Sequence, residues 1–128
     1  MSGRRLLLDT NALIQLLAGN GSLRAIVGEA DFLSTSVICQ VEFLAYPQLD
    51  EVSRDAFRQF LSRICVYDVL TSDDNLIRET IAMRMECGLK LPDAIIAATA
   101  QVHDCTVVTN DEHFMRQSKV SVMTYKNS

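Results

Sequence analysis

The sequence is poor in the residues that thiol and soft-metal chemistry require. Its four cysteines, Cys39, Cys65, Cys87 and Cys105, stand far apart, so there is no Cys-x-x-Cys pair for a metal or redox site. With only two histidines, His103 and His113, a zinc site is not expected. Long apolar runs are missing too. The first residues are polar and basic through Arg5, and Leu6, Leu7 and Leu8 are cut off by Asp9, far too short a stretch for a signal-peptide core. No run reaches the roughly 20 residues of a membrane span, and the longest candidate, Ala94 to Ala100, is an alanine-rich helical segment. The expectation is a cytoplasmic protein without disulfides, in which Cys39, Cys65 and Cys105 act as small buried hydrophobes. A basic excess is also lacking. The formal net charge of −4 argues mildly against nucleic-acid binding, which calls for cationic surface. Acids neutralised by a bound metal would distort that count, and the cations lean to arginine, which suits bidentate phosphate contact. No repeat, low-complexity segment or linker interrupts the chain.

What is present fits one globular domain: 128 residues, 48% hydrophobic and 22% charged. Arg4–Leu8 ends in a continuous apolar run, as a strand buried on both faces does. Thr10 is an available cap for a helix over about Asn11 to Leu17, ended by Gly19, Asn20 and Gly21, with a second short helix from Ser22 to Gly28. Phe32 to Thr35 reads as a strand, and Ser36 caps a helix from Val37 towards Ala45 that Pro47 closes. Asp50 to Arg63 is an amphipathic helix by its spacing of Val52, Ala56, Phe57, Phe60 and Leu61. Cys65 to Val69 is strand-like. Ser72, Asp73 and Asp74 offer caps for a helix to about Glu86, with Gly88 just past its end. Leu91-Pro92 opens a helix that is apolar nearly all round and so should be buried. Thr106–Val108 is a further buried strand, Asp111 to Gln117 a short helix, and Val120 to Thr124 a last strand. Short apolar strands alternating with helices predict a single-domain, three-layer α/β/α fold on a central parallel sheet of four or five strands.

Four acids fall at unusual places. Asp9 ends the first strand, Asp111 follows the strand Thr106–Val108, Asp93 lies in the first turn of the buried helix, and Glu42 sits within an apolar helical run. In a parallel sheet, strand carboxyl ends and the following helix amino ends share one edge, where ligands bind. Topology alone should therefore bring Asp9, Asp93 and Asp111 together, and the longer Glu42 side chain can reach inward. Clustered carboxylates repel one another, a cost that hard, oxygen-seeking Mg²⁺ or Mn²⁺ relieves. A metal so held can activate water against a phosphate. Each acid also has a plain structural role open to it. Asp9 and Asp111 can be helix N-caps, Asp93 can complement its helix dipole, and Glu42 can be a solvated helix residue, although Ile38 and Val41 share its side.

These segments resemble the PIN-domain family, and most of all the free-standing VapC-type toxins of toxin–antitoxin pairs. Leu6-Leu7-Leu8-Asp9-Thr10-Asn11 resembles the first family motif. Ser36 through Glu42 resembles the second, Leu91-Pro92-Asp93-Ala94 and the residues to Ala100 the third, and Val108-Thr109-Asn110-Asp111 with Phe114 the last. The resemblance spans about Leu6 to Phe114. It implies a metal-dependent endoribonuclease in which Asp9, Glu42, Asp93 and Asp111 hold one or two Mg²⁺ or Mn²⁺ ions, with Thr10, Asn11 and Thr109 orienting carboxylates or waters around them. It also implies an RNA substrate, a cognate antitoxin and a homodimer. Departures from the pattern are the acidic net charge and the lack of a dense basic patch; Arg84 and Lys90, before Asp93, and the i,i+4 pair Arg54 and Arg58 are the nearest cationic candidates. A non-catalytic module of the same fold, binding RNA or protein, is the alternative, although all four acidic positions are filled. A phosphoacceptor receiver domain needs an acidic pair after the first strand, and an Asp-x-Asp phosphatase fails at Asn11.

Overall fold

Three successive leucines cut off by an aspartate suit a short strand covered on both faces. In the computed structural model, which describes residues 4–69 and 73–128, Leu6, Leu7 and Leu8 are buried completely within β1 (Arg5–Leu8). Each such leucine contributes about 1.5–3 kcal/mol of burial. β1 lies at the centre of a five-stranded, wholly parallel sheet in the order β3-β2-β1-β4-β5, with β2 at Phe32–Ser36, β3 at Cys65–Tyr67, β4 at Thr106–Val108 and β5 at Val122–Met123. Five strands thus satisfy the predicted sheet. The helices α1 (Thr10–Leu17), α2 (Gly21–Gly28), α3 (Val37–Leu44), α4 (Glu51–Leu61), α5 (Asp74–Cys87), α6 (Leu91–Val102) and α7 (Glu112–Met115) connect them.

β2 carries Ser34, Thr35 and Ser36, all fully buried. Two of these hydroxyls are tied to the neighbouring strand: Ser34 donates to the Leu6 carbonyl at 2.9 Å and Thr35 to the Leu8 carbonyl at 2.7 Å. Buried hydroxyls cost free energy unless paired in this way. Helix α6 is as apolar as the sequence predicts, with Ala94, Ile96, Ala97, Ala98, Thr99 and Ala100 buried, and it packs along α5. Between α3 and α4, Phe43 and Phe57 stack face to face at 3.8 Å. The cysteines are all free, Cys39 and Cys105 buried and Cys65 and Cys87 half-buried.

Several element boundaries differ from the sequence reading, each for a local reason. Asp9, not Thr10, caps α1: its backbone is extended and its carboxylate accepts the Ala12 N–H at 2.8 Å. Thr10 is the first helical residue instead. Asn20 serves both neighbours: its N–H closes the end of α1 on the Gln15 carbonyl, and its side chain caps α2 through the Leu23 N–H. Asp50 is likewise the cap of α4 rather than part of it, and Asp73 caps α5; Ser72, the other cap considered, lies outside the described residues. Gly88 closes α5 at φ +67°, the left-handed conformation expected past a helix end. β3 and β5 are shorter than expected. After Met123 the chain leaves the backbone ladder and pairs with side chains.

Candidate active site

The strand order puts the turn-around of the sheet between β1 and β4. Beyond β1, connections go one way through β2 to β3; beyond β4 they go the other way to β5. The carboxyl ends of β1 and β4 therefore border the crevice where open α/β sheets bind ligands. Asp9 stands at the end of β1, its N–H donating to the Val108 carbonyl at 3.3 Å. Thr109, Asn110 and Asp111 follow β4. Asp93 lies in the first turn of α6, and Glu42 in the second turn of α3.

These elements enclose a cavity of about 220 Å³. Asp9, Glu42, Asp93 and Asp111 all line it, beside Thr10 and Asn11, on a floor of Ile96 and Phe114. Glu42 is solvent-exposed at the rim rather than turned inward among Ile38 and Val41; Val41 itself is 61% exposed. What brings Glu42 to the cavity is Thr10, whose hydroxyl donates to its Oε1 at 2.6 Å.

The acids do two jobs at once. Asp9 caps α1 and Asp111 caps α7, so cap and cavity roles coexist in the same side chains. Thr109, fully buried, lies between them: its Oγ1 accepts the Asp111 N–H at 2.9 Å, and its hydroxyl is near enough to Asp9 to favour the ionised carboxylate. Asn11 lines the cavity as an exposed residue. Sequence reasoning missed His113, whose backbone N–H donates to Asp111 Oδ1 while its ring Nδ1 lies 2.8 Å from the same oxygen. Its position two residues after a capping aspartate was the available signal.

Charge is concentrated where solvent is scarce. Burial pushes the Asp9 carboxyl up to about 6, the charges of Asp111 and Asp93 add to the rise, and the Thr109 and Ala12 hydrogen bonds oppose it. Asp93 is raised as well, first by burial, then by Asp111 and Glu42, against the pull of His113 and Lys90. Among the described residues no lysine or arginine is ion-paired with any of the four acids. Three of the cationic candidates are engaged elsewhere: Arg54 donates to the Leu44 carbonyl at 2.9 Å, Arg58 pairs with Asp55, and Arg84 reaches the Leu89 carbonyl, whereas Lys90 stays near enough to Asp93 to oppose its rise. Among the described residues no three Asp, Glu, His or Cys side chains stand close enough together, as placed, to hold a metal ion. The cavity is an open, oxygen-lined depression. The neighbouring Cys39 thiol is pushed up to about 11, chiefly by burial, and stays protonated.

A five-stranded parallel sheet with this edge is shared with proteins of known structure. The PIN domain family model matches residues 6–120. The chain belongs to the PIN domain family. Its fold is similar to a toxin–antitoxin complex from Klebsiella pneumoniae, at 29% identity over 93% of this chain and 96% of that one, with a TM-score of 0.77. It is also similar to VapBC2 from Rickettsia felis bound to a DNA fragment from its promoter, at 19% identity over 94% and 98% of the two chains and a TM-score of 0.79. DNA-bound VapBC from Salmonella typhimurium gives 21% identity over 94% and 98%, and a TM-score of 0.78. No curated protein matches the chain. Among the described residues of this PIN domain, no helix is long and apolar enough to cross a membrane.

Proposed function

We propose that this PIN domain is a metal-dependent endoribonuclease and the toxin of a toxin–antitoxin pair. One observation carries the reading: four carboxylates from four separate segments line one cavity at the sheet's turn-around, and among the described residues no lysine or arginine forms an ion pair with them. The donor chemistry fits a hard divalent cation, because every polar group facing the cavity offers oxygen, or the Asn11 amide, and the nearby thiol is protonated. The open spacing suits Mg²⁺ or Mn²⁺, which keep several waters and use few protein ligands at once. Asp9, Glu42, Asp93 and Asp111 would hold the ion. When bound, it would supply a water acidic enough to attack a phosphodiester and a positive charge to meet the phosphate.

The remaining work belongs to the chain. Thr10 fixes the Glu42 carboxylate at the rim. Thr109 sets Asp9 and Asp111 relative to one another from below. Ile96 and the fully buried Phe114 close the floor, so the acids meet substrate only from the open side. The toxin reading draws support from the VapBC and toxin–antitoxin complexes among the structural neighbours. An antitoxin segment and a second copy of the chain are the partners this implies. Two grooves adjoin the cavity, one sharing Asn11 and one sharing Glu42, and offer apolar surface for such contacts.

The test is cleavage of structured RNAs by purified protein with Mg²⁺, Mn²⁺ or EDTA, beside Asp9→Asn and Asp93→Asn. Cleavage is expected to require metal and both acids. Equal cutting by wild type and variants would reveal a contaminant and defeat the assignment. RNA binding without cutting would favour the non-catalytic module.

A further inference from the structure

Beyond β5 the chain does something that backbone pairing does not explain. β4 and β5 pair over only two residues, Val107 with Val122 and Val108 with Met123. The Thr109 N–H adds a last backbone bond to the Met123 carbonyl at 3.0 Å. There β4 turns away to begin α7, yet the other chain continues in register with a side chain. Asn110 Oδ1 accepts the Tyr125 N–H at 3.0 Å, and Asn110 Nδ2 donates to the Tyr125 carbonyl at 2.9 Å. A carboxamide carries the same donor and acceptor as a peptide group, so Asn110 supplies one more rung of the ladder. The next residue is held in the same manner. Lys126 donates its N–H to Ser22 Oγ at 3.1 Å, and its carbonyl accepts from Asn20 Nδ2 at 2.8 Å. Asn20 is itself buried and fixed, its Oδ1 capping α2. All four backbone polar groups of residues 125 and 126 are therefore satisfied by side chains from two distant turns.

We infer that Asn110 is a positioning residue: by clamping Tyr125 it locks the Thr109–Asp111 turn and so holds the Asp111 carboxylate in the acidic cavity. Asp111 is held from two sides, by Thr109 on the sheet and by the clamp at Asn110. Its preceding residue is pinned by the clamp, its own N–H rests on Thr109, and its side chain serves α7, a helix of only one turn. Tyr125 packs against the core beside this turn. A clamp anchored at Asn20 and Ser22 transmits the rigidity of the α1–α2 corner to the site. The role deepens the nuclease reading and rests on it for the metal part of the test.

The experiment compares wild type, Asn110→Ala and Asn110→Asp by two readouts. Hydrogen exchange of the metal-free proteins reports the turn directly. Faster exchange at Thr109, Asp111 and His113, with β1 unchanged, is expected in both variants; wild-type exchange there overturns the inference. Thermal-shift titration with Mn²⁺ reports the site. The half-saturating concentration is expected to rise on the order of tenfold in both variants. A purely structural role would lower the melting temperature and leave that midpoint where it is. Asn110→Asp is the control for charge, since an added carboxylate that acted only electrostatically would lower the midpoint. If wild type gave no Mn²⁺ response, the nuclease reading would fail, and hydrogen exchange would still decide whether Asn110 locks the turn.

Discussion

Replacing Asp9 with asparagine should make the metal-free protein more stable. Asp9 is only 5% exposed, and its carboxyl is pushed from the ordinary 3.8 up to about 6. The folded state therefore binds the proton more tightly than the unfolded state does. Native stability from this group is present below pH 3.8 and is lost as pH rises through 6. At about 1.36 kcal/mol per pH unit, the ionised carboxylate costs about 3 kcal/mol at neutral pH. The asparagine of Asp9→Asn would keep the cap, because its carbonyl oxygen can still accept the Ala12 N–H, while its amide meets Thr109 less favourably. The net gain for Asp9→Asn at pH 7.5 is then about 1–3 kcal/mol, with roughly 4 °C of melting temperature per kcal/mol in a domain of this size. The assay is chemical and thermal unfolding of both proteins in EDTA at pH 4 and pH 7.5, then in Mn²⁺. The advantage should vanish at pH 4, where the wild-type carboxyl is largely protonated in the folded state. With Mn²⁺ the order should reverse, because only wild type gains RT ln(1 + [M]/Kd) in full. A variant less stable than wild type in EDTA at pH 7.5, or a difference independent of pH, would refute the reasoning.

Other perturbations separate site from scaffold. Thr10→Val removes the hydroxyl that holds Glu42; RNA cleavage should fall on the order of tenfold with less than about 1 kcal/mol lost in urea unfolding, and undiminished turnover would dismiss Thr10 as an orienting group. Phe57→Ala opens a void against Phe43 in the fully buried stack between α3 and α4; equilibrium unfolding should register a loss of about 3–5 kcal/mol. Gly88→Ala meets no atom within 4 Å, so crowding plays no part. The left-handed backbone there should still cost about 1 kcal/mol in the same assay.

The sequence disclosed the parts of this fold that rest on strong, local patterns. A triple leucine, the Thr106–Val108 run and an all-apolar helix after Leu91-Pro92 have few structural outlets, and the sheet edge then follows from chain direction. The acids at strand ends were legible for the same reason. Competing caps were not. Asp9 and Thr10 are both good capping residues, and the choice between them depends on where the β1–β4 ladder stops, a long-range fact. Glu42 was found for a partly mistaken reason: its apolar neighbours suggested an inward face, yet Val41 faces solvent and a hydroxyl from α1 draws the carboxylate in. The last strand was legible but its two-residue extent was not, and Asn110 reads as an ordinary turn residue until the chain some fifteen positions later returns to meet it.

That Asp9 and Asp111 are helix caps as well as cavity acids has a bearing on how such a domain drifts over generations. Asparagine caps as well as aspartate, so a lineage could forfeit the proposed reaction in one step and keep the architecture. On the proposed function, inert copies that keep the fold should therefore arise readily, and the acids would persist only while cutting is useful to the cell.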